Sequence, residues 1–119
     1  LADENIGVEE HPQPEEDVEQ GNRFVADAVD YIKEHYAEDI SLQSVADKVG
    51  ISGGYLSTLF SQNLNCKFID YLNQVRIDRA CVYLEQNFLK TYEIAYRVGF
   101  RDEKYFSRVF KKVKEYREQ

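Results

Sequence analysis

The sequence predicts an all-α fold in which two helix-turn-helix subdomains are joined by a long connecting helix. Three observations carry that expectation. From Asn22 onward apolar residues recur at spacings of three and four, and no segment shows strand alternation with turn chemistry. Capping residues and glycine stops break the pattern into short helices. One short helix face is spelled twice, as "YLSTLF" at Tyr55–Phe60 and "YFSRVF" at Tyr105–Phe110.

Residues 1–20 read as an acidic linker or disordered tail. They hold eight acids, no Lys or Arg, two prolines and no apolar period. Residues 21–119 form the folded domain. Its first helix begins at Asn22 and lines up Phe24, Val25, Ala28, Val29, Ile32 and Tyr36. Ser41 suits the N-cap of a second helix that buries Leu42, Val45, Ala46 and Val49 and stops at Gly50. Ser52 caps a third, with Tyr55, Leu56, Leu59 and Phe60 facing inward. These two helices make a first helix-turn-helix at about 41–64. A connecting helix at about 67–86 follows, with Phe68, Ile69, Leu72, Val75, Ala80 and Leu84 as its core residues. Its Arg76 and Arg79 are expected to pair with Asp70, Asp78 or Glu85, or to support packing. Thr91 starts a fifth helix carrying Ile94, Ala95 and Val98 and ended by Gly99. Asp102 caps a sixth with Tyr105, Phe106, Val109 and Phe110 in the core, which completes a second helix-turn-helix at about 91–113.

The two units align in detail. Ala46, Val49 and Gly50 match Ala95, Val98 and Gly99 at an offset of 49; one extra residue after the glycine shifts Tyr55, Ser57 and Phe60 onto Tyr105, Ser107 and Phe110 at 50. Helix, glycine turn, apolar plug (Ile51 or Phe100), cap and second helix is the order of a helix-turn-helix. Each second helix leaves an outward face: Gly53, Gly54, Ser57, Thr58, Ser61 and Gln62 in one copy, and Glu103, Lys104, Ser107, Arg108, Lys111 and Lys112 in the other. A connecting helix of 19 residues spans about 28 Å. With its turns it approaches the repeat of B-DNA, about 34 Å. Two recognition helices could enter successive major grooves of one duplex.

A net charge of -7 argues against a nucleic-acid partner only on average. Residues 1–20 contribute -8, whereas residues 97–119 hold eight bases against four acids. Arg101, Lys104, Arg108, Lys111 and Lys112 are candidates for phosphate or base-edge contacts, and Arg97 for the backbone. Gly54, Ser57, Thr58, Gln62 and Ser107 complete the DNA-facing set, the hydroxyls and amide as uncharged donors. Arg can pair with guanine through two donors, whereas Lys acts as a mobile point charge.

Other chemistry lacks its residues. There is no nucleophile–base pair, phosphate-cradling glycine loop or carboxylate dyad, so no catalytic residue and no cofactor is expected. Cys66 and Cys81, with the distant His11 and His35, do not make a zinc site, and read as small half-buried residues. No apolar run nears the roughly 20 residues that cross a bilayer, and the default location is cytoplasmic. A chain that opens at Leu1 without Met reads as a fragment of a longer protein. The competing class is a helical protein-interaction module, which the acidic tail and the uncharged first recognition helix would suit.

The stretches "ISLQSVADKVGISGGYLSTLF", "FIDYLNQVRIDRACVYL" and "YEIAYRVGFRDEKYFSRVFKK" resemble the DNA-binding domain of the AraC/XylS transcription regulators. The resemblance spans about residues 22–112. It implies a homeodomain-like pair of helix-turn-helix subdomains, double-stranded DNA as partner, activation of transcription through RNA polymerase, and an upstream sensing or receiver domain absent from this chain. Three departures stand out. The first recognition helix is uncharged from Ser52 to Leu64, and Asn65 takes a glycine position. After "FKKV" the family's Gly-x-Ser/Thr-Pro turn is missing, so that either the turn is deleted or residues between Val113 and Lys114 are lacking.

Overall fold

The computed structural model describes residues 15–86 and 88–118. Its six helices are α1 (Glu15–His35), α2 (Leu42–Val49), α3 (Gly53–Leu64), α4 (Phe68–Gln86), α5 (Thr91–Arg97) and α6 (Glu103–Glu118). No strand occurs among the described residues. α1 packs on α2 and α3 to make one head; α5 and α6 pack on α4 to make the other.

Both turns close with the same hydrogen bonds. The amide of Ile51 donates to the Ala46 carbonyl at 3.0 Å, and that of Phe100 to the Ala95 carbonyl at 2.9 Å. Gly50 and Gly99 take left-handed backbones at φ 85° and 104°, as such helix ends require. The second helices are then capped in parallel. Ser52 Oγ accepts from the Tyr55 amide at 3.0 Å, and Asp102 Oδ1 accepts from the Lys104 amide at 2.9 Å. Ser41 and Ser44 cap α2 reciprocally. Arg101 is the extra residue of the second copy.

Each head has its own core. Ala28, Ile32, Val45, Ala46, Leu56 and Phe60 enclose the first, joined by Phe68 and Leu72 of α4. Ile77 and Ala80 of α4 close the second with Ile94, Val98, Phe100 and Phe106. Phe68 and Ile77 are nine positions apart, which at about 100° per residue places them on opposite sides of the helix. α4 therefore changes its buried face midway. That is why two expected core residues, Ile69 and Leu84, are exposed at 45% and 39%. Tyr105, also expected in the core, is 37% exposed.

Arg76 occupies the junction, 8% exposed. Its Nε donates to the Tyr36 carbonyl at 2.7 Å and its Nη2 to the Glu38 carbonyl at 2.9 Å. Its guanidinium carbon lies 5.5 Å from the centroid of the Phe100 ring. The expected carboxylate pairing of Arg76 is thus replaced by two backbone carbonyls of the α1–α2 loop. Charge-assisted bonds of this kind contribute about 1.5–3 kcal/mol each, and they tie the first head to the turn of the second. Arg79 likewise meets no acid among the described residues; its Nε donates to the Tyr36 hydroxyl at 3.2 Å.

Two boundaries differ from expectation. α1 begins at Glu15, inside the stretch read as a linker, and Gly21 is already buried against Leu59. Residues 1–14 lie outside the described residues. α6 continues through Val113 and Lys114 to Glu118 without a turn, and Arg117 Nη1 pairs with Asp78 Oδ1 at 2.8 Å.

The glycines of the two turns are expected to respond differently to alanine. At Gly50 a new Cβ meets nothing within 4 Å, so Gly50→Ala should cost only the backbone term, about 1 kcal/mol. At Gly99 it would lie 2.6 Å from the Tyr36 carbonyl and 2.8 Å from Arg76 Nε, and the cost should rise to about 2–4 kcal/mol. Denaturant unfolding of the two variants checks this; equal costs would contradict the close junction.

Candidate nucleic-acid interface

The second helix of each head presents the outward face that the sequence suggests. On α3, Gly54, Ser57, Thr58, Ser61 and Gln62 are exposed while Leu56, Leu59 and Phe60 are buried. Gly53 drops out of that face. It is buried, and a Cβ there would sit 2.7 Å from Gln43 Oε1. On α6, Lys104, Ser107, Arg108, Lys111 and Lys112 are all exposed.

One residue of the α3 face and two of the α6 face reach a common depression. Ser61 and Asn65 at the end of α3 and Arg108 and Lys112 of α6 line an open groove of about 900 Å³, floored by the outer side of α4. Asn65 ends α3 in the left-handed conformation, φ 59°, filling the usual glycine role. Lys67 and Arg117 add positive charge to the rim, against the single acid Asp70. The Cys66 thiol, also on the rim, is pushed above its ordinary pKa by burial and then by Asp70.

Of the expected contact residues only Arg108 and Lys112 line this groove; Gly54, Ser57, Thr58 and Gln62 on α3 and Lys104, Ser107 and Lys111 on α6 lie outside it, and Arg101 and Arg97 are engaged elsewhere. Arg101 pairs with Asp39 across the heads, both side chains largely exposed. Arg97, on α5, rests its guanidinium 5.8 Å from the Tyr83 ring centroid and does not line the groove.

Within α6, Arg108 is held over Tyr105, with its guanidinium carbon 5.7 Å from the ring centroid. The Tyr105 ring meets Phe100 edge-on at 5.9 Å, and its hydroxyl oxygen accepts from Asn73 Nδ2 at 3.2 Å. Asn73 of the connecting helix and Lys67, the residue just before that helix, were absent from the sequence-based set. Asn73 did leave a signal, because it falls with Arg76 among the apolar positions Leu72, Ile77 and Ala80 of α4.

Comparison with known proteins agrees with this architecture. Residues 45–117 match the helix-turn-helix domain family. The chain resembles the C-terminal domain of AraT, a response regulator from Geobacillus stearothermophilus, at 39% identity and a TM-score of 0.71, covering 75% of this chain and 74% of that one. A second likeness, at 25% identity and a TM-score of 0.74, is to an AraC-type DNA-binding-domain regulator from Chromobacterium violaceum, over 81% and 86% of the two chains. The chain belongs to the AraC-type helix-turn-helix family. AraC-type proteins are DNA-binding transcription regulators and not enzymes. The chain is also 42% identical over 83 residues to the uncharacterized HTH-type transcriptional regulator YijO of Escherichia coli, which is 70% of this chain. It spans 29% of the length of that relative. No helix among the described residues is long and apolar enough to cross a membrane.

The uncharged recognition helix α3 carries a removable weakness at its start. A Cβ at Gly54 meets nothing within 4 Å, so Gly54→Ala should stabilise the domain by about 0.5–1 kcal/mol. Gly53→Ala, which presses on Gln43, should give no such gain. Thermal unfolding of both variants checks the order.

Proposed function

We propose that this chain is the DNA-reading module of a transcription activator, with α3 and α6 entering successive major grooves on one face of the duplex. The observation that supports this reading most is the groove that Ser61, at the end of α3, shares with Arg108 and Lys112 of α6. α4, with 19 residues, is about 28 Å long, which with its turns compares with the duplex repeat of about 34 Å.

The heads divide the work. Lys104, Arg108, Lys111 and Lys112 supply the attraction from α6, while Ser57, Thr58, Ser107 and Gln62 hydrogen-bond without charge. Gly54, open on its outer side, lets a phosphate approach the amides at the start of α3. Arg101 joins the phosphate contacts by exchanging Asp39 for DNA, and Arg97 reaches the flanking backbone. RNA polymerase is the partner an activator placed beside a promoter engages. The resemblance to AraT, a response regulator by name, supports placing this chain at the output end of a cytoplasmic response regulator, under an upstream receiver domain.

With about four phosphates neutralised, log affinity should fall against log salt with a slope near about -3.6. Lys112→Ala should reduce the slope by about one, and Arg108→Ala should weaken the shift of a duplex selected from a random library by about fivefold or more. Titration of fluorescent duplex against salt measures all three. A wild-type slope near zero, or pairing with a protein without any DNA shift, would contradict the reading.

A further inference from the structure

Among Lys104, Arg108, Lys111 and Lys112, Arg108 is the one whose cation lies over an aromatic ring among the described residues; elsewhere on α6, Lys114 lies over Phe110 and Arg117 pairs with Asp78. The Arg108 guanidinium carbon sits 5.7 Å from the centroid of the Tyr105 ring, one helical turn upstream. That ring is in turn fixed from two sides. Phe100, 3% exposed, meets it edge-on at 5.9 Å, and Asn73 of α4 donates to its hydroxyl oxygen at 3.2 Å. Phe100 carries the Arg76 guanidinium 5.5 Å from its own centroid. A continuous set of contacts therefore runs from the α1–α2 loop to Arg108.

Asn73 itself is an oddity. It is 8% exposed, and its Oδ1 has no hydrogen-bond partner among the described residues. An apolar residue at that place in α4 would avoid stranding a polar atom. What the amide provides is an anchor for the Tyr105 hydroxyl, which rotates freely if the ring is held by Phe100 alone. A planar fork stacked on a fixed ring loses little freedom on pairing with the two acceptors of a guanine edge. Lysines cannot use such a support in the same way, because their charge is not planar.

We propose that Tyr105 and Asn73 are positioning residues that hold Arg108 as a preset guanine-reading fork, so that base preference in the second major groove is set partly by the connecting helix. This rests on the DNA-binding reading above. Neither Tyr105 nor Asn73 need touch the duplex. Their effect is on discrimination between bases, whereas general attraction comes from Lys104, Lys111 and Lys112.

The test uses the 119-residue chain and a duplex it selects from a randomised library, at the base pair where Arg108→Ala removes a guanine preference. Tyr105→Leu should lower that preference by about two- to fivefold, the range for one lost exposed cation–π contact, with the salt slope unchanged. Tyr105→Phe, which keeps the ring, should retain more of it. In the Arg108→Ala background Tyr105→Leu should have no further effect. An unaltered preference in Tyr105→Leu, or an equal loss with and without Arg108, overturns the inference. The free wild-type protein gives a check that needs no variant: the Arg108 δ-methylene protons should be shifted upfield by the ring, and unshifted resonances overturn it. Selection of no duplex at all overturns the DNA-binding reading and this inference together, whereas a selected duplex with unaltered preference overturns this one alone.

Discussion

The geometry of the molecule depends on a guanidinium inserted where three chain segments meet. Arg76 projects from the middle of α4, donates to the carbonyls of Tyr36 and Glu38, and lies against Phe100 in the second turn. Burial lowers its pKa from the ordinary arginine value, while Asp39 and then Tyr105 oppose that shift. A buried cation without hydrogen-bond acceptors would be costly, whereas here its donors meet the Tyr36 carbonyl and the Glu38 carbonyl, the latter also accepting from the Ile40 amide at 2.9 Å. Gly99 permits the approach, since any Cβ would collide with both the carbonyl and the guanidinium. The heads are thus joined by a directional polar contact in addition to the helix running between them. Such a contact fixes relative orientation better than apolar packing alone, because it tolerates little rotation.

Orientation matters because the two heads are chemically unequal. α3 presents hydroxyls and amides, and α6 presents the cations. On the proposed reading, a neutral α3 attracts a polyanion weakly by itself; held beside the basic α6, it would be carried to the duplex and add short-range hydrogen bonds there. The chain's acidic average reflects its first 20 residues and hides this local charge. Charge placement and head placement are consequently one problem, and the junction at Arg76 addresses it.

Much of this was legible in the sequence. The duplicated motif gave both turns, and the same alignment located the extra residue Arg101, because a repeat reports backbone geometry twice. Caps were legible for the same local reason: Ser52 and Asp102 bond only two or three residues ahead. Contacts over longer range were not. Arg76 was expected to pair with a carboxylate or to support packing; it does the second, and its acceptors are main-chain oxygens, which residue identity does not mark. Ile69 and Leu84 were assigned to the core by a single-stripe reading of α4, a helix that serves two cores on opposite sides. The first turns of α1 bury little, with Val18 half exposed, so no periodicity announced them. At the interface the exposed faces followed from the pattern of apolar residues, whereas the contributions of Asn73 on α4 and of Lys67 just before it needed the packing of three helices.

Whether one rigid body offers both heads to one duplex face can be measured by hydroxyl-radical footprinting of the chain on its selected DNA. The account predicts two protected patches on the same side of the helix, separated by about 10 base pairs. A single patch, or two patches on opposite faces, would contradict it.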